Sequence, residues 1–212
     1  PLYNPSSGYG SYAMPAILIL IIQQSLLLGI GMLAGSERER GADSYIQSLA
    51  NLKGSVSRLL TGKALAYLTI YIPVSMFMLF LIPTWFNLPH TASPWIILGF
   101  IIPFLISASM LGLLLSTLFK SREQSIIVLL FTSVPLVFLS GFSWPVESFP
   151  VGFKTLSTIF PSTHGILGFL KISVMDTTFS QANSEWFTLW LMAVVFAAFC
   201  WLILSWNYLK NK

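Results

Sequence analysis

Residues 36–63 read SERERGADSYIQSLANLKGSVSRLLTGK. This stretch holds five of the chain's eleven Lys and Arg residues and three of its seven Asp and Glu residues. On either side the sequence is apolar for about twenty residues, the length of a helix that crosses a hydrocarbon core of roughly 30 Å. Within the stretch, Tyr45, Leu49, Leu52, Val56 and Leu59 recur at i, i+4, i+7, i+11 and i+14, one face of an α-helix. A polar connection between two membrane-length segments therefore contains an amphipathic helix, expected over about 44–60. Asp43 or Ser44 suits its N-cap, and Gln47 completes a capping box with Ser44. Gly54 costs the helix about 1 kcal/mol relative to Ala, so tertiary contacts must hold it. The apolar stripe suits the membrane interface or neighbouring helices. The other face, with Gln47, Asn51, Lys53, Ser55 and Arg58, is free to meet a soluble partner.

The rest of the composition agrees with a membrane setting. The chain has 212 residues, of which 55% are hydrophobic and 8% charged, and a mean hydropathy of +0.79. Soluble domains carry about 25% charged residues, so these charges are too few to solvate a globular surface. The fold class is all-α, a polytopic transmembrane helix bundle. Net charge is +4, but the positive residues are scattered between apolar runs. No contiguous basic face exists for nucleic acid. The single cysteine, Cys200, lies in an apolar run, which leaves no disulfide or thiolate-metal framework, and no metal site is expected.

In chain order, residues 1–14 carry turn chemistry (Asn4-Pro5, Ser7-Gly8) and read as the end of an extracytoplasmic segment. Five spans follow, at about 15–34, 64–85, 95–119, 125–142 and 186–209. Pro73, Pro103 and Pro135 fall inside spans and free backbone carbonyls that neighbouring helices must satisfy. Gln23 and Gln24 are the strongly polar pair of the first span and face either other helices or a pathway. Residues 141–174 are too apolar for an exposed loop, yet Pro145, Pro150, Pro161 and Gly165 cut them into pieces too short to cross. That pattern predicts outer re-entrant or interfacial helices.

Loop charges set the orientation. Arg38, Arg40, Lys53, Arg58, Lys63, Lys120, Arg122, Lys210 and Lys212 share one side, against Lys154 and Lys171 on the other. The positive-inside rule makes the first side cytoplasmic and places the start of the chain outside. With no initial Met and no basic leader, the sequence reads as the later part of a six-span chain.

No Asp, Glu, Lys or Arg lies inside the apolar stretch of any span, which argues against an ion-coupled carrier. No HExxH, GxSxG or Walker A pattern is present, so no catalytic residue is assigned. Two alternatives stay open at this point: an ATP-independent carrier or scaffold, and an intramembrane enzyme using His90 or His164.

Four sequence features, in order, resemble the permeases of ABC-2 type transporters. Tyr3-Asn4-Pro5 precedes a span that opens on Pro15; the run Glu37-Arg38-Glu39-Arg40-Gly41 leads into an amphipathic helix ending near Lys63. Ser140, Gly141, Phe142, Pro145, Glu147 and Pro150 form the run after the fourth span, and Pro161 with Thr163 precede a further apolar helix. After Gly41 the sequence continues Ala42-Asp43-Ser44 with no Pro before Lys63, departing from the family's usual Thr, acidic residue and Leu-rich stretch leading to a Pro. The resemblance implies a separate ABC ATPase subunit that binds ATP and Mg, with no cofactor in this chain. That subunit would dock on Glu37, Arg38, Glu39, Arg40, Gly41, Gln47, Asn51, Lys53 and Arg58. It further implies a second permease, identical or paralogous, and an outer gate containing Gly141, Phe142, Pro145, Glu147, Pro150, Pro161 and Thr163. The expected setting is the bacterial inner membrane and its lipid; the expected activity is export of a hydrophobic, drug-like or lipid-linked substrate.

Overall fold

In hydrocarbon an unsatisfied backbone N–H or C=O costs several kcal/mol, so long apolar runs become helices. The computed structural model describes residues 9–40, 55–86, 92–140, 150–173 and 179–210, and among these there is no strand. Helix α1 is Tyr9–Glu39. Helix α2 is Ser55–Met76 and continues through a π-helical turn, Phe77–Leu81, into a last turn, Ile82–Trp85. Helix α3 is Pro94–Ser116 and α4 is Arg122–Leu139. Two short helices follow, α5 over Val151–Ser157 and α6 over Pro161–Ser173. A 3-10 turn, Phe179–Ala182, leads into α7, Asn183–Lys210. Five of these helices are long and apolar enough to cross a membrane, so the chain is a multi-pass membrane protein with an all-α bundle.

The helices run further than the apolar stretches. Where the sequence suggests a separate amphipathic helix ending near residue 60 and a span beginning at 64, α2 passes through Leu60 to Ala64 without a break. Nothing there stops it: Thr61 Oγ1 donates back to Ser57 O (2.9 Å), and a Cβ at Gly62 would meet open space. Val56, Arg58 and Leu59 are therefore on the first turns of α2. At the preceding junction α1 extends past Ala34 to Glu39, with Arg38 in its last turn, where a cation opposes the helix dipole favourably.

Helix α3 is the centre. Ile97, Phe100, Ile101, Phe104, Leu105 and Ala108 on it are fully buried, and it packs on α1, α2, α6 and α7. Helix α1 lies between α3 and α4. In the most apolar window, 72% of α3 is buried, against 11% for α2 and 22% for α4. Leu65, Ile70, Val74 and Phe77 of α2, and Phe131, Val134 and Phe138 of α4, therefore face away from this chain.

Two prolines show how the bundle repairs its own breaks. Pro103 has no N–H for Gly99 O four residues earlier. The indole Nε1 of Trp186, on α7, donates to that carbonyl at 3.1 Å. Pro83 threatens Leu79 O in the same way, and the π-helical turn immediately before it relaxes the backbone, with Ile82 N bonded to Phe77 O. Several hydroxyls within the spans are satisfied locally: Ser107 donates to Phe104 O, Ser116 to Leu113 O and Thr69 to Leu65 O, whereas Ser75 and Ser109 are buried without a hydrogen-bond partner among the described residues.

Candidate functional site

One pole of the bundle gathers the end of α1, the starts of α2 and α4, and the end of α3. Here the charged run after the first span meets its partners. Lys63 Nζ lies 2.7 Å from Glu37 Oε2, joining α2 to α1. The backbone N–H of Arg122 donates to Glu39 Oε1 at 2.7 Å, joining α4 to α1. Ser121, the N-cap of α4, accepts from Gln124 N at 3.2 Å. Arg38 lines a crevice of about 50 Å³ with Ala34, Lys63, Ser116, Cys200 and Leu204. Arg40 and Arg58 are exposed, and Leu59 is half-buried at the rim of that crevice. Val56 is half-buried against the core. Gly41, Tyr45, Gln47, Leu49, Asn51, Leu52 and Lys53 lie outside the described residues.

The opposite pole is built from α5, α6 and the start of α7. Gly165 and Gly168 give α6 its depth. A Cβ at Gly165 would stand 2.7 Å from the Phe104 ring, and one at Gly168 would overlap the Phe100 ring. Helix α6 is thus set directly onto α3, with Pro161, Thr163, Ile166 and Phe169 buried. Its first turn caps α5: Thr163 Oγ1 donates to Ser157 O at 2.7 Å, and His164 Nε2 lies 3.2 Å from Thr158 O. A carbonyl only accepts, so that ring nitrogen carries the proton. Burial pushes the imidazole pKa below its usual 6.5, so the ring is neutral at pH 7. The end of α6 is tied to α7 by Lys171 Nζ and Glu185 Oε1, 2.6 Å apart. Pro150 is exposed at the N-cap of α5. Gly141, Phe142, Pro145 and Glu147 lie outside the described residues.

Between the poles, Gln23 on α1 is fully buried and its Nε2 donates to Ser162 Oγ on α6 at 3.1 Å. The glutamine faces a neighbouring helix, the first of the two arrangements its sequence context allowed. Sequence reasoning missed three links of this architecture: Glu39 with α4, Lys171 with Glu185, and Trp186 with Gly99. A signal existed for the first, because Gly31 and Gly35 stand four apart and mark a face built for close helix contact. The other two join residues with no recognisable spacing.

The comparisons with known proteins agree with this architecture. A family profile described as "ABC-2 family transporter protein" matches residues 1–202. The chain is 24% identical over 196 residues to the "Probable multidrug ABC transporter permease YbhR" of Escherichia coli strain K12, covering 92% of this chain and 51% of that protein. The YbhR protein of Escherichia coli O157:H7 matches with the same identity and coverage. The chain thus spans about half the length of the curated relatives it matches. Transporter permeases of this kind are the membrane component of their systems and not themselves the ATPase. With a helical bundle of five candidate spans and a profile match along nearly its whole length, the chain belongs to the ABC-2 type transporter permeases.

Proposed function

We propose that this chain forms the membrane path of an ATP-driven exporter of hydrophobic, drug-like or lipid-linked molecules. A separate ABC ATPase subunit, holding ATP and Mg, docks on the basic pole, which faces the cytoplasm of a bacterial cell across its inner membrane. The single observation that carries this reading is the ion pair between Glu37 and Lys63. It joins the two helix ends that flank residues 41–54, so a push delivered through that segment acts on α1 and α2 together. The docking surface is Arg38, Arg40 and Arg58 with Gly41, Gln47, Asn51 and Lys53; Glu37 and Glu39, which the resemblance also placed on it, are instead taken up by Lys63 and by Arg122 N, and the apolar stripe of Tyr45, Leu49, Leu52, Val56 and Leu59 is the face turned away from the ATPase.

The name of the relatives supports a drug-like substrate, and the span composition, rich in Phe, Leu, Ile and Ser, suits an apolar one. Two such chains, identical or paralogous, enclose the path within membrane lipid. On the outer side, α6 is packed too closely on α3 to move alone. The gate is therefore residues 141–150 with α5 and the turn after it, where Phe153, Leu156 and Ile159 are exposed, while Pro161 and Thr163 form its fixed seat. ATP biases the two arrangements only by binding one of them better than the other.

Co-purification of the full-length permease from its own membranes in mild detergent tests this reading. An ATPase subunit is expected with the native chain and lost when residues 44–54 are replaced by a Gly/Ser linker that leaves α2 intact. Drug efflux that persists after ATP depletion would sink it in favour of an ATP-independent carrier.

A further inference from the structure

We propose that Glu39 is a positioning residue that carries movement of the docking segment to α4, and that Gly31 and Gly35 are the contact that lets it do so. This rests on the ATP-driven reading above. The first amides of a helix have no intrahelical partner. In α4, Ser121 satisfies Gln124 N, but Arg122 N is satisfied by Glu39 of another helix. A carboxylate there also meets the positive end of the α4 dipole, and a charged acceptor makes the stronger hydrogen bond.

That reach depends on an unusually close approach. A Cβ at Gly35 would stand 2.6 Å from Arg122 N and 2.7 Å from both Ser121 C and Ser121 O. Those are backbone atoms, which cannot swing aside as a side-chain tip can. One turn earlier, a Cβ at Gly31 would stand 2.9 Å from Leu129 Cδ1 and 3.2 Å from Ser125 Cβ. So α1 lies along the first two turns of α4 with no side chain between them at these points. The same end of α1 holds α2 through Glu37 and Lys63. Glu39 is two residues from the segment proposed to receive the push. Displacement of that segment therefore reaches α4, a helix at the edge of the bundle, without first passing through the central helix α3.

The test uses the full-length permease with its ATPase subunit in proteoliposomes, following a lipophilic fluorescent dye and ATP hydrolysis together. For Glu39→Ala, the ATPase subunit should co-purify as in the wild type, and hydrolysis should hold while dye moved per ATP falls about tenfold. Glu39→Gln keeps an acceptor and should recover most of that loss. Gly35→Val should resemble Glu39→Ala. Amide exchange, measured on the permease in detergent, supplies a readout independent of transport. Arg122 N should exchange about fivefold faster in Glu39→Ala, with Gln124 N unchanged. Unaltered Arg122 exchange, or unaltered dye per ATP, overturns the proposal. Loss of the ATPase subunit from Glu39→Ala also overturns it, by making Glu39 part of the dock. A wild type that moves dye without ATP overturns the exporter reading, and the proposal falls with it even where the Arg122 exchange changes as expected.

Discussion

The joint of α1 with α2 at the basic pole and the seat of α6 on α3 at the other are made by different means. At the basic pole the links are charges with water nearby: the Lys63 and Glu37 side chains are 27% and 43% exposed, and the bond from Arg122 N to Glu39 is exposed as well. At the other pole, besides the Lys171–Glu185 pair, α6 is held on α3 by phenyl rings seated in the notches of Gly165 and Gly168, with no exposure of Phe100 or Phe104. An exposed ion pair is worth little and is screened by salt. A ring in a close-packed notch resists any displacement, because packed interiors tolerate little change of volume. The first kind of joint can be remade during a cycle; the second holds its geometry throughout. On the proposed function, the charged joint of α1 with α2 is the one expected to be remade, and the seat of α6 on α3 the one expected to hold.

The strongest way to break that comparison is at Gly168. Replacing it with Leu drives a side chain into Phe100 and should cost about 3 kcal/mol or more, seen as a lowered thermal midpoint in detergent or as loss of folded protein. Gly152→Leu, where a Cβ meets nothing within 4 Å, should stay within about 0.5 kcal/mol. If the two variants unfold alike, the seat of α6 is not rigid.

Next in size is Lys171→Met. Glu185 is 12% exposed and its Oε2 has no hydrogen-bond partner among the described residues, so Lys171 is what compensates its charge. Leaving that carboxylate uncompensated should cost about 1–3 kcal/mol, with Glu185→Gln in the same chain restoring part of it. Trp186→Phe keeps a ring but removes the donor to Gly99 O, and should cost about 0.6 kcal/mol, the average for a hydrogen bond between membrane helices. Lys63→Met sharpens the contrast from the other side. It should cost about 0.2–1 kcal/mol at low salt, and the difference from wild type should vanish in high salt; persistence would mark this pole as buried. The smallest effect is a slope with pH. His164 in the folded chain resists protonation because it is buried. Below the usual value of 6.5 the unfolded chain binds the extra proton and the folded one does not. Stability is then full above that pH and falls as the pH drops further, a slope that His164→Gln should flatten in thermal scans across pH 8 to 5.

Much of this was legible beforehand. Hydropathy and length alone give five membrane helices, because lipid permits no other solution for runs such as residues 95–116. Proline positions foretold carbonyls in need of a donor, and Gly99 is one that found it. That α2 runs unbroken through residue 60 has a physical reason. A change from amphipathic to apolar sequence marks a change of surroundings, while the backbone continues unless something stops it, and Thr61-Gly62-Lys63 does not. The seat of α6 was invisible because a glycine records what it admits only once its partner is known; nothing in residues 161–173 names Phe100 or Phe104. The partner of Glu39 was hidden too, since a backbone amide has no letter in the sequence. Gly31 and Gly35 alone hinted at it.

The indole of Trp186 has a further consequence, for how the protein is made. Its acceptor, Gly99 O, precedes it by 87 residues. At about 5–20 residues per second, the ribosome delivers that indole roughly 4–17 s after the carbonyl has been synthesised. During this interval the central helix lacks the donor it keeps in the finished bundle. A chain cut short before α7 is therefore left with an unmet acceptor at Gly99, in the helix on which α1, α2, α6 and α7 pack.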